Sequence, residues 1–468
     1  MRSKVINSDR KICIIGGGIS GLTTAFLLRK KGFQVTLFEK SNHFGGNIET
    51  CRIDGYLIEY APNSLLKSPR LVDLIRELGL ESEVLAADAA NKKRYVLQSG
   101  KLKSLPMSVA KMAANGFFSW KAKMRLLKEP FVRSTSPENE SVAQFFERRL
   151  GREIVKKAAD PFISGIYAGD PANLSIKAAF PRLYELEKEY GSLLVGSLRS
   201  KLEKPDKDFP RTFSFNDGVQ ALTHKLAKEL MKSVFTGTEI TGLEKRADGK
   251  FRVLAEPPQS AVKMPAIRQR DFDALIICSP AASAAKLIAS ISSKLSEQLK
   301  SVYYPPVAMV FFGVKKESMD RNLDGFGFLV PSSEGRKILG TIWNSSVFHD
   351  RAPDGYHLMT TFVGGSRNAD IFAKSDEELF EIVYLELKDI LGLNETPAFR
   401  HIKRWPKAIP QYELGYDKIQ SAIEDFEIDN QGIFFCSNFY KGISVGDCVK
   451  NSYSVADSIS NYLTNLNE

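Results

Sequence analysis

The sequence predicts an α/β protein built around a parallel sheet. Two observations support this prediction. A strand–helix–strand pattern opens the chain, and short apolar runs typical of buried strands recur far downstream, at Leu275–Cys278 and Gly432–Cys436. The chain has 468 residues, of which 43% are hydrophobic and 26% are charged. This balance is ordinary for a folded protein and excludes an intrinsically disordered chain.

The opening pattern is the first reason to expect parallel strands. Lys11–Ile15 has the composition of a short buried strand. The apolar periodicity after it predicts a helix through about Lys31, and Gly32 ends that helix. Phe33–Glu39 alternates in hydrophobicity as a second strand would. Two strands joined by a helix within about thirty residues form a βαβ unit, whose strands run parallel.

Glycines fill the turn between the first strand and the helix, in the pattern Gly16-x-Gly18-x-x-Gly21. The first glycine permits a tight turn, the second lets the backbone approach a pyrophosphate, and the third lets helix and strand pack closely. Glu39, at the end of the second strand, can accept hydrogen bonds from ribose hydroxyls. In this Rossmann-type context the residues predict a dinucleotide site.

A glycine pair, Gly45–Gly46, follows Glu39 closely. It offers a second close backbone approach, which favours a flavin dinucleotide. The sequence contains no second GxGxxG motif, so a separate nicotinamide site is not predicted. Electrons leaving the flavin are therefore expected to pass to oxygen or to another small acceptor.

Further elements are predicted along the chain from apolar periodicity and turn residues. Helices are expected at Arg70–Leu78, Pro106–Leu150, from Asp217-Gly218 through Leu230, and at Asp447–Tyr462. Strands are expected at Phe213–Phe215, Val234–Leu243, Phe251–Leu254, Val307–Val314 and His357–Val363.

The formal net charge is +10, and its location is informative. Between Lys92 and Thr135 the sequence has eleven basic residues and one acid, Glu129, so this segment alone accounts for the excess. No nucleic-acid motif accompanies it, so nucleic acid is not an expected partner. A local basic segment favours an anionic lipid surface or an anionic substrate.

The spacing of the cysteines and histidines is not typical of a disulfide framework or of a metal site. The five cysteines form no CxxC pair and the five histidines no HxxxH pair, so neither a disulfide framework nor a metal site is predicted. The polar N-terminus does not resemble a signal peptide. The best candidate for a membrane-spanning helix, Ala274–Ile291, is interrupted by Pro280 and Lys286. These features predict a cytoplasmic protein.

Several stretches carry a family resemblance. The opening IIGGGISGLTTAFLLRKKGFQVTLFEKSNHFGG resembles the amine-oxidase-like FAD superfamily as a whole. Narrower likeness lies in DPFISGIYAGDPANLSIKAAFPRLYELEKEYGSL, in GFGFLVP with LGTIW and TTFVGGSR, and in SNFYKGISVGDCV. Taken together, the chain resembles the protoporphyrinogen oxidases over nearly its whole length.

The resemblance implies non-covalent FAD, because the covalent flavin cysteine of monoamine oxidases has no counterpart. Ala61–Ser64 would run under the isoalloxazine, although many relatives begin this segment with Gly-Pro rather than Ala-Pro. The implied cofactor-binding residues are Gly16, Gly17, Gly18, Ile19, Ser20, Gly21, Glu39, Lys40, Gly45, Gly46, Asn47, Ala61, Pro62, Asn63, Ser64, Ile240, Asn438, Ile443, Ser444 and Val445.

The resemblance also implies a substrate pocket. Arg94 would pair with a porphyrinogen propionate, although by sequence alone it reads as a solvated charge in a basic run. Gly165 would let the backbone approach the macrocycle. Four apolar side chains would sandwich the pyrrole rings, with plain core as the other interpretation: Phe326, Leu329, Ile342 and Phe362.

The implied reaction is oxidation of protoporphyrinogen IX to protoporphyrin IX by oxygen, with peroxide as product, in heme synthesis. The flavin N5 performs the chemistry, so we nominate no catalytic side chain. Three alternatives stay open: coproporphyrinogen III oxidation to coproporphyrin III, a flavin amine oxidase or desaturase, and a non-catalytic FAD-fold protein that binds tetrapyrroles.

The resemblance implies three domains. The FAD-binding domain would be discontinuous, over 9–88, 208–284 and 426–468. The substrate-binding domain, with a mixed sheet, would use 89–100, 191–207 and 285–425. The helical, basic domain over 101–190 would dock on a membrane.

The peptide SLPMSVAKMAANGFFSWKAKM either docks on a bilayer through Phe117, Phe118 and Trp120 or packs as an ordinary helix. A peripheral position on an anionic membrane surface is expected. Contact with the next enzyme of the heme pathway and a homodimer are left open.

Overall fold

The structure is a computed structural model that describes residues 9–106, 112, 116–133, 135–200, 209–256 and 269–466. Its strands are β1 (Lys11–Ile15), β2 (Gln34–Phe38), β3 (Thr50–Ile53), β4 (Tyr56–Glu59), β5 (Leu65–Leu66), β6 (Val84–Ala86), β7 (Tyr95–Gln98), β8 (Lys101–Ser104), β9 (Thr212–Phe215), β10 (Val234–Phe235), β11 (Glu239–Lys245), β12 (Phe251–Glu256), β13 (Gln269–Phe272), β14 (Ala274–Ile277), β15 (Val307–Lys315), β16 (Gly327–Leu329), β17 (Ile338–Ile342), β18 (Tyr356–Gly364), β19 (Phe399–Trp405) and β20 (Ile433–Phe435).

The helices include several that the sequence predictions did not specify. They are α1 (Ile19–Lys30), α2 (Pro69–Glu77), α3 (Trp120–Leu127), α4 (Val142–Leu150), α5 (Arg152–Ile154), α6 (Asp160–Tyr167), α7 (Ile176–Ala179), α8 (Pro181–Tyr190), α9 (Leu193–Ser200), α10 (Gln220–Leu230), α11 (Ala281–Ile288), α12 (Ser293–Lys300), α13 (Asn344–Val347), α14 (Asp376–Leu391), α15 (Tyr416–Asp429) and α16 (Val445–Asn465).

A five-stranded parallel sheet, in the order β10-β2-β1-β14-β20, forms the centre predicted from the opening pattern. Its two faces are covered differently. Ile12 and Ile14 pack with α1, α10 and α16 on one face. Cys13 and Ile15 pack with the antiparallel sheet β11-β12-β13 and with α11 on the other. Parallel strands buried on both faces are expected to read as continuous apolar runs, as β1 and β14 do. The α/β prediction is confirmed.

The predicted single strand Val234–Leu243 is wrong, because the chain breaks within it. β10 pairs with β2 in the parallel sheet, whereas β11 pairs with β12 in the antiparallel sheet. Gly237 lies between them with φ +65°, a conformation that a continuous strand does not contain. The apolar pattern continues across this break, so periodicity alone did not show it.

A second, seven-stranded mixed sheet has the order β19-β15-β18-β17-β16-β7-β8. One face packs on α14 through Phe328, Val363 and Val383. The predicted domain boundary at residue 101 falls inside the β7–β8 hairpin, whose ladder ties Lys101–Ser104 to this sheet. Lys101–Ser104 thus pairs with the mixed sheet, and the predicted domain boundaries stay predictions.

The predicted helical stretch Pro106–Leu150 forms separate short helices rather than one continuous pattern. Residues 107–111 and 113–115 of that stretch lie outside the described residues. Ser119 caps α3 by accepting from the Ala122 amide, and Ser141 caps α4 in a capping box. None of the helices in the described ranges is long and apolar enough to cross a bilayer.

Candidate functional site

The glycine turn after β1 has the geometry that a phosphate-binding loop needs. Gly16 has φ +115°, and a Cβ there would lie 2.9 Å from the Cys278 carbonyl carbon. A Cβ on Gly21 would overlap the Gly16 carbonyl oxygen. The tight turn and the close helix–strand packing therefore require glycine at both positions, as the sequence pattern predicts.

Glu39 lies beside this turn at the end of β2. Its Oε2 accepts from the Gly17 amide at 2.6 Å, and its Oε1 accepts from the Ser41 amide and hydroxyl at 2.8 Å each. The carboxylate is half-buried, so part of it remains open to ribose hydroxyls. Lys40 and Asn47, also predicted to bind the cofactor, are exposed.

The two glycine segments form one cradle. The Gly45 amide donates to the Gly17 carbonyl at 2.9 Å, and a Cβ on Gly46 would lie 3.1 Å from the Gly18 Cα. Gly18 is the N-cap of α1 and provides no side-chain cap, so the N–H groups of Ile19, Ser20 and Gly21 face outward from the helix end. A helix N-terminus of this kind binds phosphate groups.

The predicted isoalloxazine segment Ala61–Ser64 is half-buried and follows β4. Asn63 Oδ1 accepts from Asn344 Nδ2 at 2.6 Å, and Asn344 Oδ1 accepts from the Thr360 hydroxyl at 2.8 Å. Asn344 lies in α13 and Thr360 in β18. The structure therefore joins the predicted cofactor segment to the mixed sheet by hydrogen bonds that the sequence did not indicate.

Two tyrosines hold the C-terminal segment that is predicted to cover the flavin. The Tyr412 hydroxyl donates to the Asn438 carbonyl at 2.7 Å and accepts from the Gly442 amide at 3.0 Å, and the Tyr416 hydroxyl donates to the Phe439 carbonyl at 2.6 Å. The two rings stack at 4.5 Å. Sequence reasoning missed both tyrosines, although the paired aromatic residues before a helix were a visible signal.

Other residues that are predicted to bind the cofactor also cap a helix or pack in the core. Ser444 caps α16 by accepting from the Asp447 amide at 3.1 Å, with Ile443 and Val445 half-buried on either side. Ile240 is buried in β11. The start of α16 therefore presents a second helix N-terminus near the predicted flavin position.

Three of the predicted substrate residues share one face of the mixed sheet. Leu329 is the cross-strand partner of Gly340, which is the partner of Phe362. Directly paired residues point to the same face, and Ile342 lies two residues beyond Gly340. These side chains are half-buried, whereas Phe328 on the opposite face is buried. The sheet therefore presents an apolar face that is partly open.

Gly165 lies against this face. A Cβ there would overlap the Leu329 side chain, so α6 approaches the sheet at van der Waals distance. Asp160, at the start of α6, pairs with Arg367 and accepts from the Ser332 amide at 2.8 Å. These contacts fix the helix on the sheet. Arg367 was quoted within a motif, but its positioning role was not predicted.

Arg94 lies at the edge of the same region with its guanidinium 4.5 Å from the centroid of the Phe326 ring. It is half-buried, and no carboxylate among the described residues is within ion-pair distance of it. Burial lowers the pKa of the guanidinium, and the nearby Arg211 lowers it further. A partly desolvated cation without a counter-ion is a ready site for a carboxylate.

The fold and this site define a dinucleotide-dependent oxidoreductase. A family model described as flavin containing amine oxidoreductase matches residues 19–460. The chain belongs to that family. A dinucleotide loop in a flavin-containing family identifies the cofactor as FAD, and the glycine cradle, which any Cβ would fill, fits its pyrophosphate.

The similarity to individual relatives extends over nearly the full chain. The mitochondrial protoporphyrinogen oxidase of Nicotiana tabacum is 33% identical, covering 98% of this chain and 96% of its own. The coproporphyrinogen III oxidase of Bacillus subtilis is 27% identical, covering 98% and 99%. A solved structure from Exiguobacterium sp. 255-15 has a TM-score of 0.78 at 24% identity, covering 97% and 99%, and shows the same fold.

Proposed function

We propose that this protein oxidises protoporphyrinogen IX to protoporphyrin IX with oxygen as the acceptor. The observation that carries the proposal is the position of Arg94, an unpaired, half-buried cation at the edge of an apolar sheet face. A porphyrinogen has the matching chemistry, a large apolar ring with carboxylates on its rim. The full-length similarity to protoporphyrinogen oxidases supports the same substrate.

The chain's own residues bind and orient this substrate. Leu329, Ile342 and Phe362 offer apolar surface to the pyrrole rings. Gly165 allows α6 to pack directly on Leu329, so the space between this helix and the sheet stays narrow. Arg94 fixes the carboxylate edge and so sets which methylene bridge faces the cofactor. Bound FAD would accept a hydride from that bridge while a pyrrole N–H loses a proton, and three such two-electron oxidations, each with one oxygen reduced to one peroxide, would give the porphyrin.

One arrangement argues against an amine substrate. The Lys403 Nζ lies 4.3 Å from the centroid of the Tyr60 ring and 4.8 Å from that of the Trp405 ring, and it pairs with Glu49 at 3.0 Å. Aromatic rings that could hold a substrate ammonium are therefore already occupied by the chain's own cation.

The test is to incubate the FAD-loaded protein with protoporphyrinogen IX, coproporphyrinogen III and an amine, and to follow porphyrin fluorescence and peroxide. We expect rapid protoporphyrin formation and slower coproporphyrin formation. Porphyrin formation no faster than autoxidation would reject the proposal. Faster turnover of coproporphyrinogen would favour the second function, which the Bacillus subtilis relative supports.

We also infer that the protein docks on an anionic membrane, through a surface that keeps Trp120 of the predicted residues but not Phe117 and Phe118. Phe117 and Phe118 are buried and pack edge to face, so they cannot insert into lipid. Exposed apolar side chains are instead Trp120 (73%), Leu127 (59%) and Phe131 (81%). We call these three residues the docking surface.

Exposed basic residues lie beside the docking surface. Lys121, Lys128 and Arg133 are exposed beside it, whereas Glu129 is fully buried and pairs with Arg149 at 3.2 Å. Within the part of the chain that the structure describes, these three basic residues face solvent without a carboxylate partner. Exposed aromatic and apolar side chains among basic residues are typical of an interfacial membrane contact.

Arg125 belongs to the same basic segment, but its guanidinium donates to the Arg148 carbonyl at 2.5 Å and so has a structural role. The variant that tests the docking surface combines Trp120→Ser with Phe131→Ser. Ile428→Ser is the control, because Ile428 is an apolar side chain that is 69% exposed on α15. In flotation with vesicles containing phosphatidylglycerol, we expect the double variant to lose binding and the control to keep it. Equal binding would overturn the inference.

A further inference from the structure

A second guanidinium, that of Arg211, lies near enough to Arg94 to act on it electrostatically. Arg211 is exposed and directly precedes β9, and its carbonyl accepts from the Lys67 amide at 2.9 Å. No carboxylate among the described residues pairs with its side chain. Its charge is close enough to Arg94 to lower the pKa of that residue.

Backbone and side-chain contacts place the two arginines on one rim. The Ala87 amide donates to the carbonyl of Thr212, the neighbour of Arg211, at 3.0 Å. Ala87 packs in the same apolar cluster as Phe326, and Phe326 lies under Arg94. One short chain of contacts therefore connects the two arginines along the edge of the apolar sheet face.

Two adjacent cations that have no carboxylate partner among the described residues repel each other, so this part of the rim is electrostatically unfavourable when empty. A ligand with two carboxylates relieves that repulsion at both positions. We propose that Arg211 is a second carboxylate-binding residue, which acts with Arg94 as a clamp for the two propionates of one porphyrinogen.

The proposal rests on the proposed function and specifies its substrate class. The two propionates of protoporphyrinogen IX lie on neighbouring pyrroles, so both can reach one rim. Coproporphyrinogen III carries four propionates, and two of them would point away from the rim toward the apolar face formed by Leu329, Ile342 and Phe362. Burying unpaired carboxylates there is unfavourable. The clamp therefore favours a porphyrinogen whose charges lie on one edge.

The test compares Arg211→Gln and Arg94→Gln with Arg182→Gln, a change at an exposed arginine on α8. Each protein is assayed with protoporphyrinogen IX and with its dimethyl ester, which lacks both charges. FAD content and melting temperature report folding. Quenching of flavin fluorescence by protoporphyrin reports binding without turnover.

For Arg211→Gln we expect KM for the diacid to rise about threefold to fivefold with kcat unchanged, as for a solvent-accessible ion pair. Arg94→Gln should raise it about tenfold, because that guanidinium is half-buried. Neither change should alter KM for the diester, and Arg182→Gln should leave KM unchanged for both the diacid and the diester. An unchanged diacid KM for Arg211→Gln, or an equal rise with the diester, would overturn the clamp while wild-type turnover still supports the proposed function. Absence of wild-type turnover would instead reject that function.

Discussion

Asn344 donates its Nδ2 to Asn63 Oδ1 at 2.6 Å, and this contact sets the orientation of both amides. Asn63 Nδ2 donates to the Ala61 carbonyl at 3.2 Å, and a carbonyl can only accept. Asn63 Oδ1 must therefore face Asn344, which leaves Asn344 Oδ1 to accept from the Thr360 hydroxyl. One backbone carbonyl thus fixes the direction of every hydrogen bond in this chain.

The first prediction concerns this hydrogen-bond chain. Thr360→Val removes the donor to Asn344 Oδ1 and leaves that buried oxygen without this hydrogen bond, which loosens the Asn344 amide beside Asn63. We therefore expect kcat for protoporphyrinogen to fall about fivefold to tenfold with FAD still bound. Thr361→Val is the matched control, because the neighbouring Thr361 hydroxyl contacts Thr341 on the opposite face at 3.0 Å. Steady-state kinetics and the flavin absorption spectrum measure the effect. An equal loss in both variants would contradict the positioning role.

The second prediction concerns the contact between Gly165 and Leu329. Gly165→Ala places a methyl group against the Leu329 side chain, which should displace α6 from the sheet and lower kcat/KM about tenfold. Leu329→Ala in the same chain should restore part of the activity by providing room. Gly116→Ala, where a Cβ meets nothing within 4 Å, is the control. Failure of the second change to rescue would mean that the loss has another cause.

The third prediction concerns FAD affinity. The contacts of the Glu39 carboxylate that the structure describes are all with donors, the Gly17 amide and the amide and hydroxyl of Ser41. Glu39→Gln places an NH₂ group against one of these donors and removes the charge, so FAD should bind about tenfold more weakly. Titration of the apoprotein with FAD measures this. Glu77→Gln, which removes the charge that pairs with Lys30 at the surface and keeps an oxygen for the Tyr453 hydroxyl, should leave the dissociation constant unchanged. Equal affinity for Glu39→Gln would contradict the ribose role.

The fourth prediction is a pH dependence of stability. Burial raises the pKa of Glu59 from 4.5 to about 7, although its carboxylate accepts from the Thr50 hydroxyl and the Val219 amide. The folded protein therefore holds a proton there that the unfolded chain releases at lower pH. The resulting stabilisation is complete below the unfolded pKa of 4.5 and is lost as pH rises through about 7.

Denaturant unfolding at several pH values tests this sign. The free energy of unfolding of the wild type, relative to Glu59→Gln, should decrease between pH 5 and pH 8. Glu381→Gln, at an exposed position on α14, should show no such trend relative to the wild type. A relative stability that rises with pH would show that Glu59 is ionised in the folded protein.

The sequence predicted the strand, the glycine turn and the helix of the opening βαβ unit because their requirements are local. Gly16, Gly21 and Glu39 lie in one βαβ unit, and each contributes through backbone geometry or a terminal carboxylate that spacing alone reveals. The family resemblance selected Gly165 and Leu329, but their direct contact joins residues far apart in the chain. No periodicity encodes such a contact.

The residues that sequence reasoning missed act through tertiary contacts. Asn344, Tyr412 and Tyr416 have side chains whose role depends on which distant carbonyl or amide they reach. The basic segment shows the same limit. Its composition indicated a membrane contact, yet burial of Phe118 and exposure of Phe131 depend on how α3 packs.

The parallel sheet described above also has a consequence for synthesis. Neighbouring strands β1, β14 and β20 begin at Lys11, Ala274 and Ile433, and the last helix packs against the first. Pairings of such long sequence separation form late. The cofactor-binding half therefore closes only after β20 and α16 have been synthesised, so FAD capture must wait for both elements. A product ending before Ile433 would lack both, and FAD capture would separate chains that contain them from chains that do not.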